Sequence, residues 1–282
     1  MQLSTDGAAG FAARAHDPDI PRAAPAHENE QDTPKALPVG GHGDDLVSAP
    51  LALVYRGNAA RPAECSEAVS ALLRSSRQDF DVRYVGPREE LSLSSTVLAR
   101  AALYAQPGGG GLGPAYRRMR KYEPAIRAFV AAGGRYLGFC LGGYLAGATP
   151  GFGLLPGDTD QYIATRGATV TSERDTLVRV QWRGRLRRMY FQDGPAFLVR
   201  QDAPGVTVLA RYPNNEIAAL TAPFVRGMVG VVGPHPEATA SWYDHNDLVD
   251  PDGLATDLGH DLIDAIMDDR GTPAPNRRNA SR

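Results

Sequence analysis

Between residues 51 and 139, short apolar runs alternate with segments of helical period, and this alternation restricts the fold more than any other feature of the chain. Leu51–Tyr55 is a five-residue apolar run that stops just before Gly57, the pattern of a buried strand. A helix follows from about Pro62, whose fixed φ suits a first turn. Its Cys65, Ala68, Val69, Leu72 and Leu73 recur at the spacing of one helix face. Asp81–Val85 and Ala101–Gln106 read as two further strands. After a glycine-rich loop, Pro124 opens another helix, with Ile126, Phe129 and Val130 turned inward and Gly133 as its stop. Arg135–Phe139 then forms a strand that runs directly into Cys140. Repeated β-α-β units of this kind imply a parallel sheet covered on both faces. The second half changes pattern: Leu177–Trp182, Leu186–Tyr190, Val206–Tyr212, Glu216–Leu220 and Phe224–Val232 are short strands separated by Gly, Pro or Asn turns, as in hairpins. A last helix is expected at about Leu254–Met267.

Outside this region the pattern fades. Residues 1–48 are rich in Ala, Pro, Asp, Gly and His without apolar periodicity, so they cannot bury enough surface to offset their ordering entropy. Residues 270–282 read the same way. The expectation is one domain, 49–269, between two disordered tails. The formal charge of −2 gives no electrostatic reason to expect nucleic acid or an anionic membrane as a partner. No stretch approaches the ~20 apolar residues of a membrane span. Two cysteines cannot build a disulfide framework, and the N-terminus lacks the apolar run of a signal peptide, so a cytoplasmic protein is expected. His16, His27 and His42 are too scattered to suggest a metal site; no metal or cofactor is expected.

Gly138-Phe139-Cys140-Leu141-Gly142 follows a strand and precedes an apolar, alanine- and glycine-containing stretch. That is the context of a nucleophile elbow, with cysteine in the place of serine. Small residues two before and two after the nucleophile let strand and helix approach at a strained turn. A helix N-terminus behind the sulfur favours a thiolate, and the amide of Leu141 would face an oxyanion. The plainer account is a buried structural cysteine packed among glycines. The pentapeptide alone does not separate the two.

A nucleophilic cysteine needs a base, and the base needs an orienting group. Gly233-Pro234-His235-Pro236-Glu237 follows an apolar strand, so His235 and Glu237 can project toward one cleft. His235 would take the thiol proton and Glu237 would hold its ring. His245 and His260 lie in polar surroundings and read as surface residues. Pro107 to Gly111, at the end of another strand, can present free amides to an oxyanion, could bind phosphate, or could be a simple turn. It lacks the Gly-Lys-Ser/Thr of a phosphate loop and the spacing of a dinucleotide fingerprint.

In order, the PGGGG loop, RYLGFCLGGY and VGVVGPHPE segments resemble the class I glutamine amidotransferase-like fold. VYRGNAARPAECSEAV, QPGGGGLG, MYFQDGPAF and GPHPEAT resemble more closely the domain at the N-terminus of some fungal biotin–protein ligases. The resemblance covers about Leu51 to Tyr243. It implies an α/β fold with a flavodoxin-like, mostly parallel sheet, helices on both faces and antiparallel hairpins in the second half. It implies a triad of Cys140, His235 and Glu237, with oxyanion donors at Leu141 and in the Gly108–Gly109 loop. Tyr144 stands where glutaminases of the class carry a glutamine that grips the substrate, so glutamine itself is not carried over with the fold. The chain ends within ~50 residues of His235, too short for a ligase catalytic domain of ~100 residues. The arginines of 182–188 read as a hairpin surface rather than a biotin-binding loop.

The expected function is therefore a cysteine-nucleophile amidohydrolase or amidotransferase-like enzyme. It would act on a small-molecule amide or acyl substrate through a thioester, with an ammonia- or acyl-accepting enzyme as its partner. The alternative is a non-catalytic binding or regulatory module that keeps the fold. A redox or aldehyde-handling protein fits less well, because such elbow cysteines pair with an acid rather than with His-x-Glu.

Overall fold

The computed structural model describes residues 48–200 and 202–268. Nearly all of both expected tails lies outside them. The first half alternates as its sequence pattern requires. β1 (Leu51–Tyr55), β2 (Asp81–Val85), β3 (Leu103–Gln106) and β4 (Arg135–Phe139) pair in parallel in the order β2-β1-β3-β4. β11 (Gly227–Val232) joins as a fifth parallel strand beside β4. Counted along the chain this is the 2-1-3-4-5 order of a flavodoxin-like sheet.

From β11 the sheet continues antiparallel through β10 (Ile217–Phe224), β9 (Thr207–Arg211), β6 (Thr176–Trp182) and β7 (Arg185–Phe191). β8 (Pro195–Val199) pairs with β10 and carries β5 (Gly157–Gln161) as its outer partner. The parallel core with an antiparallel second half is the arrangement expected from sequence.

Strand alternation divides the core. Ala52 and Val54 face α1 (Ala63–Arg74) and α7 (Thr256–Met267), where Val69, Leu72, Leu73, Leu258 and Leu262 are buried. Leu53 and Tyr104 face α4 (Glu123–Ala131) and α5 (Leu141–Ala146) through Ile126, Val130 and Leu145. Each such aliphatic side chain contributes about 1.5–3 kcal/mol by leaving water. α4 ends as its sequence requires: Gly133, at φ +114°, donates to the carbonyl of Val130, and Gly134 to that of Phe129 at 3.0 Å. This pair of bonds closes the last turn, and only glycine takes that φ at no cost.

The arginine-rich segment is the β6–β7 hairpin, turning at Arg183 and Gly184. Its arginines face α7 and the loop before it: Arg183 pairs with Asp261, Arg187 with Asp257 and Arg188 with Asp252. Trp182 donates Nε1–H to the same Asp261 at 2.7 Å. The cluster docks a helix.

Candidate active site

The C-terminal ends of three parallel strands bring the sequence-chosen residues together. β3 ends at Gln106 and leads into the glycine loop, β4 ends one residue before Cys140, and β11 ends three residues before His235. In sheets of this kind the carboxyl ends are where ligands bind.

Cys140 sits between β4 and α5 at φ +45° and ψ −104°. A non-glycine residue rarely adopts such a backbone, and residues held there cost about 1–3 kcal/mol. The conformation is locked by Cys140 donating its amide to Val232 at 2.8 Å and accepting from the amide of Tyr144 at 3.0 Å. The flanking glycines are required. A Cβ on Gly142 would lie 2.0 Å from the Gln106 carbonyl oxygen, and one on Gly138 would lie 2.5 Å from that of Gly142. Tyr136 in β4 donates its hydroxyl to the Gly142 carbonyl at 2.7 Å, tying strand to helix.

His235 and Glu237 are buried, at 3% and 4% exposure. His235 Nδ1 lies 2.8 Å from Glu237 Oε1. The other carboxylate oxygen, Oε2, is buried without a hydrogen-bond partner among the described residues. Such a group is costly unless its charge is engaged elsewhere. The engagement is with the imidazole. Burial pushes the ring's pKa down, but the charge of Glu237, then the charge and hydrogen bonding of Cys140, raise it to about 10. Both neighbours favour the charged ring over the neutral one. Its backbone is fixed to β7, where the His235 amide donates to the Tyr190 carbonyl at 2.9 Å.

Gly108 closes the triangle: a Cβ there would meet His235 Cε1 at 2.8 Å and Cys140 Cβ at 3.3 Å. The amides of Gly108, Gly109 and Leu141 donate to no acceptor among the described residues. Gly109, Cys140, Leu141 and Tyr144 line one cavity of about 620 Å³. A larger cleft of about 980 Å³ borders Leu51 and Asp81, at the other end of these strands, and contains none of the sequence-chosen residues. Tyr144 donates its hydroxyl to the carbonyl of Asp193 at 3.1 Å, and burial raises its phenol pKa. The Cys140 thiol lies 3.6 Å from the carbonyl of Gln192. Residues 192–193 are thus fastened over the elbow from two sides.

Cys65 behaves differently. It is buried on α1, and burial first, then the charges of Glu237 and Cys140, push its thiol up to about 12. It stays protonated and serves as a packing residue. His245 and His260 are surface residues, His260 bonding to Ser75 at 2.9 Å. Sequence reading missed the ring's aromatic surround. Tyr190 and Trp242 meet His235 edge-on at centroid distances of 6.0 and 5.4 Å. It also missed Gln192 and Asp193, whose carbonyls accept from Cys140 and Tyr144. Tyr190, Gln192 and Asp193 all fall in the MYFQDGPAF segment, which was visible as a motif before it had a place.

Among known proteins, the family described as "Biotin-protein ligase, N terminal" matches residues 51–160. Biotin–protein ligase of Schizosaccharomyces pombe is 28% identical over 166 residues, which are 50% of this chain and 26% of that protein. The imidazole glycerol phosphate synthase subunit HisH of Lacticaseibacillus casei is 34% identical over 84 residues, 27% of this chain and 40% of that subunit. The chain thus spans well under half the length of either relative. A crystal structure of a glutamine amidotransferase shares 18% identity, covering 66% of this chain and 90% of that one, at a TM-score of 0.47.

Proposed function

We propose that this chain, whose residues 51–160 match the biotin-protein ligase N-terminal family, is a thiol-dependent amidohydrolase or amidotransferase-like enzyme of the class I glutamine amidotransferase-like kind, working through Cys140, His235 and Glu237. One observation carries the reading: a cysteine held at φ +45° adjoins a buried imidazole whose Nδ1 lies 2.8 Å from a buried carboxylate.

The chemistry follows from those positions. The Cys140 sulfur attacks the amide carbon, and the developing oxyanion takes hydrogen bonds from the amides of Leu141 and the Gly108–Gly109 loop. The His235 imidazolium gives its proton to the leaving nitrogen, which departs as ammonia or an amine. An acyl thioester on Cys140 remains. Water attacks it with His235, now neutral, as base, and the thiolate leaves. Glu237 keeps Nδ1 occupied throughout, so Nε2 is the nitrogen that moves protons. Tyr144 forms a wall of the substrate cavity. The released nitrogen or acyl group would pass to a partner enzyme; HisH, by its name a subunit of a synthase, supports that expectation.

Alkylation tests the reading. Iodoacetamide at pH 7 is expected to modify Cys140 faster than free cysteine, and His235→Ala to slow it about tenfold or more. Equal rates for Cys140, free cysteine and the His235→Ala protein would leave a module that keeps the fold without the chemistry.

A further inference from the structure

The cavity in front of Cys140 has two unlike walls. One is the backbone of Gly109–Gly111 and Leu141. The other carries three carboxylates: Asp160 on β5, Glu173 before β6 and Asp193 after β7. No arginine, lysine or histidine lines it among the described residues. The imbalance is not general to the chain. Asp252, Asp257 and Asp261 each pair with an arginine, whereas none of the three cavity acids has an ion-pair partner among the described residues. Asp193 is instead gripped by a neutral amide: Gln161 Nε2 donates to its two oxygens at 2.9 and 3.2 Å. Burial, partly offset by Gln161, holds its carboxyl above the ordinary range, and the charge of Glu173 adds to the rise. The lining thus offers three carboxylates near a sulfur nucleophile and no basic side chain of its own.

Such a wall repels a free carboxylate and attracts an ammonium or guanidinium, because opposite charges in a cleft with low-dielectric sides interact far more strongly than in water. An amino acid such as glutamine would bring its α-carboxylate into a lining that offers it no arginine, lysine or histidine. We propose that the Cys140 cavity selects an amide or acyl substrate whose non-reacting end is cationic, with Asp160, Glu173 and Asp193 as its specificity-determining residues. This rests on the reading of Cys140 as the nucleophile facing that cavity.

Charge-paired thiol reagents test it on the full chain without requiring turnover. 2-Aminoethyl methanethiosulfonate carries a cation and 2-sulfonatoethyl methanethiosulfonate an anion. With each, the Cys140 sulfur attacks the sulfenyl sulfur, a mixed disulfide forms, and methanesulfinate leaves with the bonding pair. The cation-to-anion rate ratio, mapped to Cys140 by peptide mass and divided by that of free 2-mercaptoethanol, is expected to be about tenfold or more at low salt. In Asp160→Asn/Glu173→Gln/Asp193→Asn it should fall toward one. Asn at 193 keeps the left-handed backbone, φ +47°, that Asp193 adopts. Glu173→Gln alone should give a smaller fall. A normalised ratio at or below one, or one unchanged in the triple variant, overturns the proposal. Ammonia release from lysinamide against L-glutamine separates the two readings. A preference for glutamine would overturn the cationic end and leave the thiol enzyme standing. A cation-selective thiol with no release from any amide would uphold the charge selection and count against the enzyme.

Discussion

His235 is subject to opposing influences. Burial disfavours its charged form, while Glu237 at 2.8 Å and the Cys140 sulfur favour it and prevail. Replacing Glu237 with Gln removes the larger favourable influence, so the ring should titrate well below about 10, which ¹⁵N-histidine NMR would read. The linkage has a definite sign. A ring whose pKa is raised on folding stabilises fully below its ordinary value of about 6.5 and loses that contribution as pH climbs through about 10. The melting temperature of the Glu237→Gln protein should therefore fall less steeply across that window than the wild-type value; parallel slopes would contradict the account. Cys140 carries strain of another kind. Glycine accepts its φ freely and alanine does not, so Cys140→Gly should be about 1 kcal/mol or more stabler than Cys140→Ala in denaturant unfolding. Both residues were legible in the sequence because each lies in a short motif at a strand end. Tyr190, Trp242 and Gln192 were not, because their contacts with Cys140 and His235 are made only by folding and no local spacing announces them.

Elements were readable in proportion to how far their own residues determine them. β1, β2 and β4 have the expected bounds, and α4 starts at Glu123 with Pro124 in its first turn. β5 went unseen: its sequence, GDTDQ, has no apolar alternation, and it is held only as the outer partner of β8. β8 is short and opens on proline, and α3 (Leu112–Met119) contains a glycine and a proline that suggest a loop. The strand expected over Phe224–Val232 is divided. Phe224 closes β10, and the chain reverses at Val225 and Arg226 before β11 begins at Gly227. Val225 makes that turn at φ +56° without the Gly or Asn that usually marks one. The elbow makes the most demanding contact between elements. Gly142→Ala would drive a methyl into the backbone carbonyl of Gln106, so a loss of about 3 kcal/mol and a displaced Cys140 are expected. Unfolding curves together with iodoacetamide kinetics check it; a stable, equally reactive variant would show that α5 tolerates distance from β3.

Over the described residues as a whole, β11 is the joint. It pairs in parallel with β4 and antiparallel with β10, and one apolar cluster contains Val54 and Leu137 from the parallel part with Val180 and Leu209 from the other. The two parts share a core, so unfolding followed through Trp182, Trp242 and far-UV dichroism should give coincident midpoints; separated transitions would mean that the antiparallel part melts by itself. The sequence foretold this layout only as a change of pattern near residue 150, because strand order is set by pairing between distant segments. The same joint brings the proposed catalytic groups together: β4 ends beside Cys140 and β11 leads to His235, so the candidate site exists only where these neighbours lie side by side. The most direct test is the fate of an amide incubated with the full chain and with Cys140→Ala, followed by intact mass and by ammonia or amine release. The expected result is an acyl adduct confined to Cys140 and release that the alanine variant loses entirely; release by Cys140→Ala at the wild-type rate would contradict the assignment of the nucleophile.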